Sequence, residues 1–443
     1  MIDREPVILV GILEGRPEIR GRFNGPFRVN GSSCRSGPFR AVVRDGRIVL
    51  SGEAEKATGT GAEIRCLPEA GATFSLGEVA IGIHFHWERR QEQTFAGNLI
   101  LTAEEDGTLT AVNEVRLEDY LASVVSSEMN AAAPQEFLKA HAVTSRSWLA
   151  AMLERLKSGS EPPQAGRRER SRDGETIRWY GREEHRHFHV CADDHCQRYQ
   201  GLTRMAENAS AAVAATRGLF LVYGQSVCDA RYYKACGGLT ENFENAWEDI
   251  PVPYLTSISD APHDFPPVRS EEEAAAWILS RPDAYCNTAD PRVLGRILPD
   301  FDQETRDFFR WEVHYGREEL ESLLRRKSGV DFGVLQDLVP LERGPSGRIV
   351  RLRIEGSKRT MTVGKELEIR RWLSETHLYS SAFVVSAVRD GAGTPIRFSL
   401  RGAGWGHGVG LCQIGAAVMA VKGFTAEAIL QHYFPAASLR RLY

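Results

Sequence analysis

The sequence predicts an α+β chain in which mixed sheets carry packed helices, preceded by a small β-rich N-terminal region. Three observations predict it. β-Branched strand signals crowd residues 5 to 115, apolar residues recur at helical spacing from Phe137 to Leu153, and strand and helix signals are interleaved from about residue 206 onward. With 443 residues, 42% hydrophobic and 26% charged, the chain is long enough for two or three domains and ordinary in composition for a globular protein. A net charge of −4 gives no general attraction to nucleic acid or anionic lipid, and no apolar run approaches a membrane span. The opening MIDREPVILVGILEG lacks a basic n-region and a small-residue cleavage site, so it reads as a first strand rather than a signal peptide.

In order, residues 1–115 read as the β-rich region. VILVGIL, FRAVVRDGRIVL and VAIGIHFHW are strand-like, with turns at Asp45-Gly46 and Asp106-Gly107. His84 and His86 share one strand face without a third ligand nearby, which favours packing over metal binding. Next comes Glu128, a lone acid ahead of a long helix in which Pro134 suits the first turn and Phe137, Leu138, Ala142, Val143, Leu149 and Leu153 form an apolar stripe. Arg146 sits mid-helix with no acid four positions before it, and it is expected to point toward Glu128 through an indirect contact, since a direct one would lower that acid's pKa. The tract near 157–186 is polar and rich in Pro and Gly, the mark of a solvated insertion. An alanine-rich helix near 206–216 and the strand GLFLVYG follow. A helical insertion is expected near 260–342, with EEEAAAWILSR and REELESLLRRKSG amphipathic. IVRLRIEG and RTMTVGKELEIRRWL read as a hairpin leading into a helix. The chain closes with a strand, a glycine-rich loop, a helix stopped at Gly423, and a short helix started by Thr425 and ended by Pro435.

Several constellations could carry chemistry. The glycine loop fails the dinucleotide spacing, since the third glycine of G-x-G-x-x-G would fall on His407, Val409 or Leu411. Cys191 and Cys196 stand among His185, His187, His189 and His195, and thiolate with imidazole suits zinc. The first three histidines would share one strand face, so spacing alone does not choose among them. Tyr232, Tyr233, Thr240, Glu241 and Trp247 combine ring faces with polar edges, as sugar recognition requires.

The run Val-Val-x-x-Glu-Met at Val124 to Met129, then Leu-Lys-Ala-x-Ala-Val-x-x-Arg ending at Arg146, resembles the signature of the SpoIID/LytB family, bacterial proteins that degrade peptidoglycan glycan strands or help to do so. The stretches His195 to Tyr199, Tyr232 to Glu241 and GWGHGVGLCQIGA are also similar to the family, and the likeness covers roughly residues 115 to 443. It implies a catalytic region over 116–443 forming two lobes around a central cleft. It further implies Glu128 as catalytic acid/base and a cleft lined by Arg146, His195, Tyr233, Thr240, Trp405 and His407. Relatives that bind zinc place a histidine six positions before the first cysteine, which implies His185, Cys191 and Cys196 as ligands of a structural or substrate-positioning zinc.

Ordinary glycosidases use two carboxylates. One suffices if the C6 hydroxyl of N-acetylmuramic acid attacks its own C1, the lytic transglycosylase reaction, which leaves 1,6-anhydro ends. Glu241 is the first second carboxylate to test should the products be reducing ends. The expected partner is a peptidoglycan glycan strand, denuded of stem peptides, and no nucleic acid. The rival readings are a non-catalytic protein that enhances a partner amidase and a zinc-dependent hydrolase. The implied substrate places the protein at the cell envelope or periplasm, although no signal peptide is read in the sequence.

Overall fold

The computed structural model describes residues 2–31, 34–52, 58–59, 61–69, 71–83, 88–157, 169–172, 174–179, 185–299 and 307–443. They form an α+β structure divided into two compact units. The first unit comprises Ile2–Ala142, Glu184–Leu219 and Arg441–Tyr443, and the second Val143–Glu183 and Phe220–Arg440. His84 and His86 lie outside the described residues, as does most of the expected polar insertion.

In the first unit an eleven-stranded sheet runs in the order Val190–Cys191, Val7–Arg16, Leu109–Arg116, Asn98–Ala103, Glu63–Pro68, Glu18–Val29, Cys34–Arg44, Arg47–Gly52 and Thr58–Gly59. Thr73–Ile81 branches off Glu18–Val29 and pairs with Arg89–Phe95. Asp45 and Gly46 both take positive φ, at 50° and 69°, giving the hairpin turn between Cys34–Arg44 and Arg47–Gly52 the twist it needs. Helix α1 (Leu117–Glu128) follows the sheet directly, and α2 (Gln135–Lys157) contributes residues to both units. Helix α3 (Glu207–Ala215) packs on α1.

A column of aromatic rings connects the N-terminal sheet to α1. Phe39 stacks on Phe23 (centroids 4.5 Å apart), Phe23 on Phe27 (4.7 Å), and Phe27 meets Phe74 edge-on (6.2 Å). Phe74 then stacks on Phe95 (5.4 Å), Phe95 on Tyr199 (6.0 Å), and Tyr199 on Tyr120 of α1 (5.1 Å). Phe23, Phe27, Phe39, Phe74, Phe95, Tyr120 and Tyr199 are all buried, so burial and ring contact both fix α1 against the sheet.

The second unit holds a five-stranded sheet ordered Glu169–Arg172, Glu175–Arg178, Thr360–Gly364, Ile349–Gly356, Leu335–Arg343. The described part of the tract expected to be a solvated insertion thus supplies two strands, and Glu175–Arg178 pairs parallel with Thr360–Gly364. Its strand carries one buried aliphatic, Ile177, too few for periodicity to reveal. Pro340 lies on the edge strand, where a missing N–H does least harm. A second sheet sets Pro395–Ala403 between Arg310–Gly316 and Phe383–Arg389.

Helices α4 (Phe243–Ala246), α5 (Glu271–Leu279), α6 (Pro291–Ile297), α7 (Arg317–Ser328), α8 (Glu366–Trp372), α9 (Gln413–Val421) and α10 (Ala426–Tyr433) complete this unit. The stretch expected to be a helical insertion also contributes the strand Arg310–Gly316. Leu320, Leu323 and Leu324 of α7 enter one core cluster with Trp311, Ile354 and Trp372, each leucine stabilising by about 1.5–3 kcal/mol. Among the described residues no helix is long and apolar enough to cross a membrane.

Candidate functional site

Leu117, Tyr120, Leu121, Val124 and Val125 recur at helical spacing and are wholly buried, which makes α1 a core helix. Its start is tied down where Leu117 N donates to Pro6 O (3.0 Å) and Glu118 N to Glu5 Oε1 (3.1 Å). Met129 turns extended, so Glu128 is the last helical residue and is only 8% exposed. The acid expected ahead of a helix therefore also ends one.

The His195–Tyr199 stretch and its continuation are laced along α1. Arg198 N donates to Glu128 Oε1 (3.0 Å), Tyr120 OH to Gln197 Oε1 (3.2 Å), Gln200 N to Ser123 Oγ (3.2 Å) and Ala206 N to Ser126 Oγ (3.1 Å). Arg198 itself is held through its guanidinium by Asp194 Oδ1 and Ser127 O. Tyr199 OH donates to Asn113 Oδ1 (2.6 Å) in the sheet. Burial drives the Tyr120 hydroxyl well above its usual range, with the charges of Cys196, Cys191 and Glu128 adding to it.

Four donors gather beside this stretch. The ligand atoms of His185, Cys191, His195 and Cys196 all lie within 4.8 Å of one another. His185 Nε2 is 3.3 Å from Cys196 Sγ, and His195 Nδ1 is 3.5 Å from Cys196 Sγ and 3.8 Å from Cys191 Sγ. Spacing left three histidines open, and the structure separates them. His187 pairs with Glu104 (3.1 Å) and His189 Nδ1 accepts from Leu9 N (3.1 Å), so only His185 of the three reaches the thiols. His195, expected in the substrate cleft, stands with the cysteines instead of apart from them. Hydrogen bonds with Cys196, then with His185 and His195, push the Cys191 thiol well down against the opposing effect of burial.

Arg146, Tyr233, Thr240, Trp405 and His407 belong to the second unit. Arg146 is wholly buried on α2, not a surface charge. Tyr232–Tyr233 pairs parallel with Leu411–Cys412, which brings the motif around Tyr233 to the glycine loop. His407 Nε2 donates to Tyr232 O (3.1 Å) while Nδ1 accepts from Val409 N (3.1 Å), so both ring nitrogens serve the backbone. Its ring meets Tyr233 and Trp247 edge-on, each at 5.1 Å. Burial, then the charges of Arg231, Arg370 and Arg348, hold this imidazole neutral, well below its usual range. The Tyr233 hydroxyl is buried and finds no hydrogen-bond partner among the described residues.

Trp405 is half-buried against Tyr379 (4.2 Å) and Phe308 (4.9 Å). Five backbone N–H groups of the loop are taken up inside the protein rather than left for a sugar. The amides of Gly404, Trp405, Gly406, Val409 and Leu411 donate to Phe309 O, Ala235 O, Tyr379 O, His407 Nδ1 and Arg231 O. A tight loop packed on the sheet satisfies its own backbone before any ligand arrives. Thr240 Oγ1 accepts from Ile258 N (2.7 Å) and lies 3.3 Å from Thr256 O, bracing the neighbouring loop. Glu241 is fully buried, with Oε1 accepting from Asn242 N (2.8 Å) and Asn245 Nδ2 (2.7 Å) and Oε2 from Ser346 Oγ. Burial pushes its carboxyl up.

Sequence reasoning did not find Arg198 or Arg348. Arg198 is the unspecified position in the His-Cys-Gln-x-Tyr stretch and acts on Glu128 through its backbone N–H, which no side-chain type could signal. Arg348, 0% exposed, donates to Gly406 O (3.1 Å), Cys236 O (3.3 Å) and Ser346 Oγ (3.0 Å). It shapes the glycine loop from below: Gly408 has φ 83°, and a Cβ there would come 2.5 Å from Arg348 Cζ.

Comparison with known proteins agrees with this geometry. Residues 105–223, which include Glu128, Arg146, His185, Cys191, His195 and Cys196, match the family model described as stage II sporulation protein (SpoIID), and residues 241–410 match a domain of unknown function. An uncharacterized protein of Brachyspira hyodysenteriae is 26% identical over 340 residues, 77% of this chain and 70% of the relative. Stage II sporulation protein D of Bacillus amyloliquefaciens is 26% identical over 326 residues, 73% of this chain and 74% of the relative. The amidase enhancer of Bacillus subtilis is 22% identical over 245 residues, 52% of this chain and 32% of the relative. With the SpoIID model falling on the segment that carries Glu128 and the Cys–His cluster, and a stage II sporulation protein D similar over most of its length, the chain carries a SpoIID-family domain over residues 105–223.

Proposed function

We propose that the protein cleaves peptidoglycan glycan strands as a lytic transglycosylase, with Glu128 as the single acid/base. A cell-wall-related role fits the family and the likeness to an amidase enhancer; the reaction is our reading. One observation carries it: Glu128 is a nearly buried carboxyl at a helix end, held at one oxygen by the Arg198 N–H. A carboxyl so placed is rigid and sheltered from water, as a group that must give a proton and take one back requires. Glu128 would protonate the glycosidic oxygen and then accept the C6 hydroxyl proton as that oxygen attacks C1. No second carboxylate is needed, in keeping with a Glu241 whose oxygens are occupied inside the protein.

His185, Cys191, His195 and Cys196 offer two imidazoles and two thiols at distances that suit one zinc. Bound there, the ion would supply a structural fastening. Its ligands would hold the turn in which Cys196 N donates to Asp193 O (3.1 Å), and with it the Arg198 N–H two residues on. A second reading is favoured by the amidase-enhancer likeness: glycan binding that assists a partner amidase without cleavage.

Glu128→Gln discriminates. Glutamine keeps shape and the acceptor for Arg198 N but can neither donate nor accept the required proton. The account expects retained folding and glycan binding with cleavage reduced by at least ~10²–10⁴-fold. Equal behaviour of the two proteins on purified denuded glycan strands would remove Glu128 from the chemistry.

A further inference from the structure

The second unit contains a cluster of donor atoms to which the proposed reaction gives no use. Cys236, Asp260, Cys286 and Cys412 come from four segments spread over more than a third of the sequence. Their three Sγ atoms and a carboxylate oxygen lie within 4.8 Å of one another. All four are buried, at 2%, 0%, 1% and 0% exposure.

The chain builds this meeting point deliberately. The parallel pairing of Tyr232–Tyr233 with Leu411–Cys412 brings Cys236 N to Cys412 Sγ at 3.3 Å. Asp260 N donates to Gly238 O (3.0 Å), Tyr285 N to Asp260 O (2.7 Å) and Cys286 N to Asp260 Oδ2 (2.9 Å). Tyr433 OH, from α10, donates to Asp260 Oδ1. Cys412 caps α9, its sulfur accepting from Gly415 N at 3.4 Å.

Two features separate this cluster from an ordinary nest of buried thiols. The first is the direction of the hydrogen bonds. Gly238 N points at Cys236 Sγ (3.3 Å), and Cys236 N and Gly415 N point at Cys412 Sγ. A neutral thiol is a weak acceptor, and backbone N–H groups converge on sulfur where it is a thiolate or a metal ligand. The second is the carboxylate. A buried carboxyl that stays charged is paired or coordinates a metal, and the hydrogen bonds to the Asp260 side chain come from neutral groups, Tyr433 OH and Cys286 N. The sulfur spacing is somewhat tighter than a bound zinc would set it. Cys236 and Cys286 Sγ are 3.4 Å apart, and a tetrahedral zinc with bonds of ~2.3 Å sets its sulfur ligands roughly 3.8 Å from one another.

We propose that Cys236, Asp260, Cys286 and Cys412 form a second zinc site, closed and structural, that fastens the Cys-Gly-Gly turn, two loops and the start of α9 into one body. Binding exchanges three thiol protons, released to solvent, for three zinc–sulfur bonds, with Asp260 as the oxygen ligand. The resulting negative charge is offset by the N–H groups aimed at sulfur and by Arg310, whose Nη1 donates to Gly237 O at 2.9 Å. Four protein ligands leave no position for water, so the site takes no part in glycan cleavage.

The test isolates this site from the one at Cys191. A Cys191→Ser/Cys196→Ser protein, purified without added metal and checked for folding by circular dichroism, is expected to keep about one zinc per chain by mass spectrometry of metals. Cobalt exchanged into that protein should give visible bands of a tetrahedral ion and strong thiolate charge-transfer absorption. Adding Cys286→Ser should remove both. If the double variant fails to fold, the wild-type protein should carry about two zinc ions, and its buried thiols should resist alkylation until a chelator is added under denaturing conditions. Metal-free but folded double variant, a Cys236–Cys286 disulfide in the reduced-purified protein, or alkylation indifferent to chelator would each overturn the proposal. Failure here leaves the Glu128 reading standing, because that is read by products and not by metal content.

Discussion

Two sulfur-bearing clusters sit in different units and differ in almost every physical respect. His185, Cys191 and Cys196 are partly exposed and His195 exposed, and two of the four side chains are imidazoles. Cys236, Asp260, Cys286 and Cys412 are wholly enclosed and bring sulfur and oxygen only. The first spans twelve residues and adjoins the stretch that holds Glu128, whereas the second joins residues as far apart as Cys236 and Cys412. With a metal bound as proposed, the local cluster would position one loop, and the cluster of residues distant in sequence would hold a domain together. The comparison therefore predicts that one set of substitutions is felt in activity and the other in stability.

The largest effect belongs to the buried set. Cys286→Ser/Cys412→Ser should lower unfolding free energy by about 4 kcal/mol or more, as loss of a structural metal does, read by denaturant titration. A stability close to wild type would break the comparison at once. Next, Cys191→Ser/Cys196→Ser should reduce glycan cleavage about 10- to 100-fold, the scale seen when groups orienting a site are removed. The same protein should lose less stability than the buried-set variant. Stability lost without activity would reverse the roles assigned here.

His407 gives a pH signature within the second unit alone. Its folded pKa lies well below the unfolded value of about 6.5. A depressed imidazole contributes stability above the unfolded pKa and loses it as pH falls toward the folded one. Wild-type stability should therefore decline below about pH 6.5 by up to ~1.4 kcal/mol per pH unit from this group. His407→Gln should flatten that decline, and identical slopes would show that the ring takes up its proton equally in the folded and unfolded protein. The smallest effect is expected at Thr240. Thr240→Val removes the acceptor for Ile258 N and should cost about 1–3 kcal/mol of stability. Unchanged stability with weakened glycan binding would return this hydroxyl to the substrate.

Much of this was legible in the sequence where a side chain's own chemistry is the signal. Glu128, Cys191 and Cys196 stand out as candidates by type and motif, and α7 and α9 show in periodicity and caps. Helix α1 was not legible because LASVVSSE is buried nearly all round and offers no polar face to set against an apolar one. The strands Glu169–Arg172 and Glu175–Arg178 hid in polar composition. Cys236, Cys286 and Cys412 were visible only as scattered residues, since nothing in their spacing encodes the register between Tyr232–Tyr233 and Leu411–Cys412 that joins two of them. His407 and Thr240 show the opposite failure. Their types suit sugar binding, yet the structure turns both inward to the backbone.

The central claim concerns Glu128 and the bond it would help break, and the products decide it most directly. Purified denuded glycan strands, digested in water enriched in heavy oxygen and analysed by mass spectrometry, should yield 1,6-anhydro-N-acetylmuramic acid ends without solvent oxygen, and none with Glu128→Gln. Reducing ends carrying solvent oxygen as the main product, or no cleavage by the wild-type protein under conditions in which it binds the strands, would contradict the account.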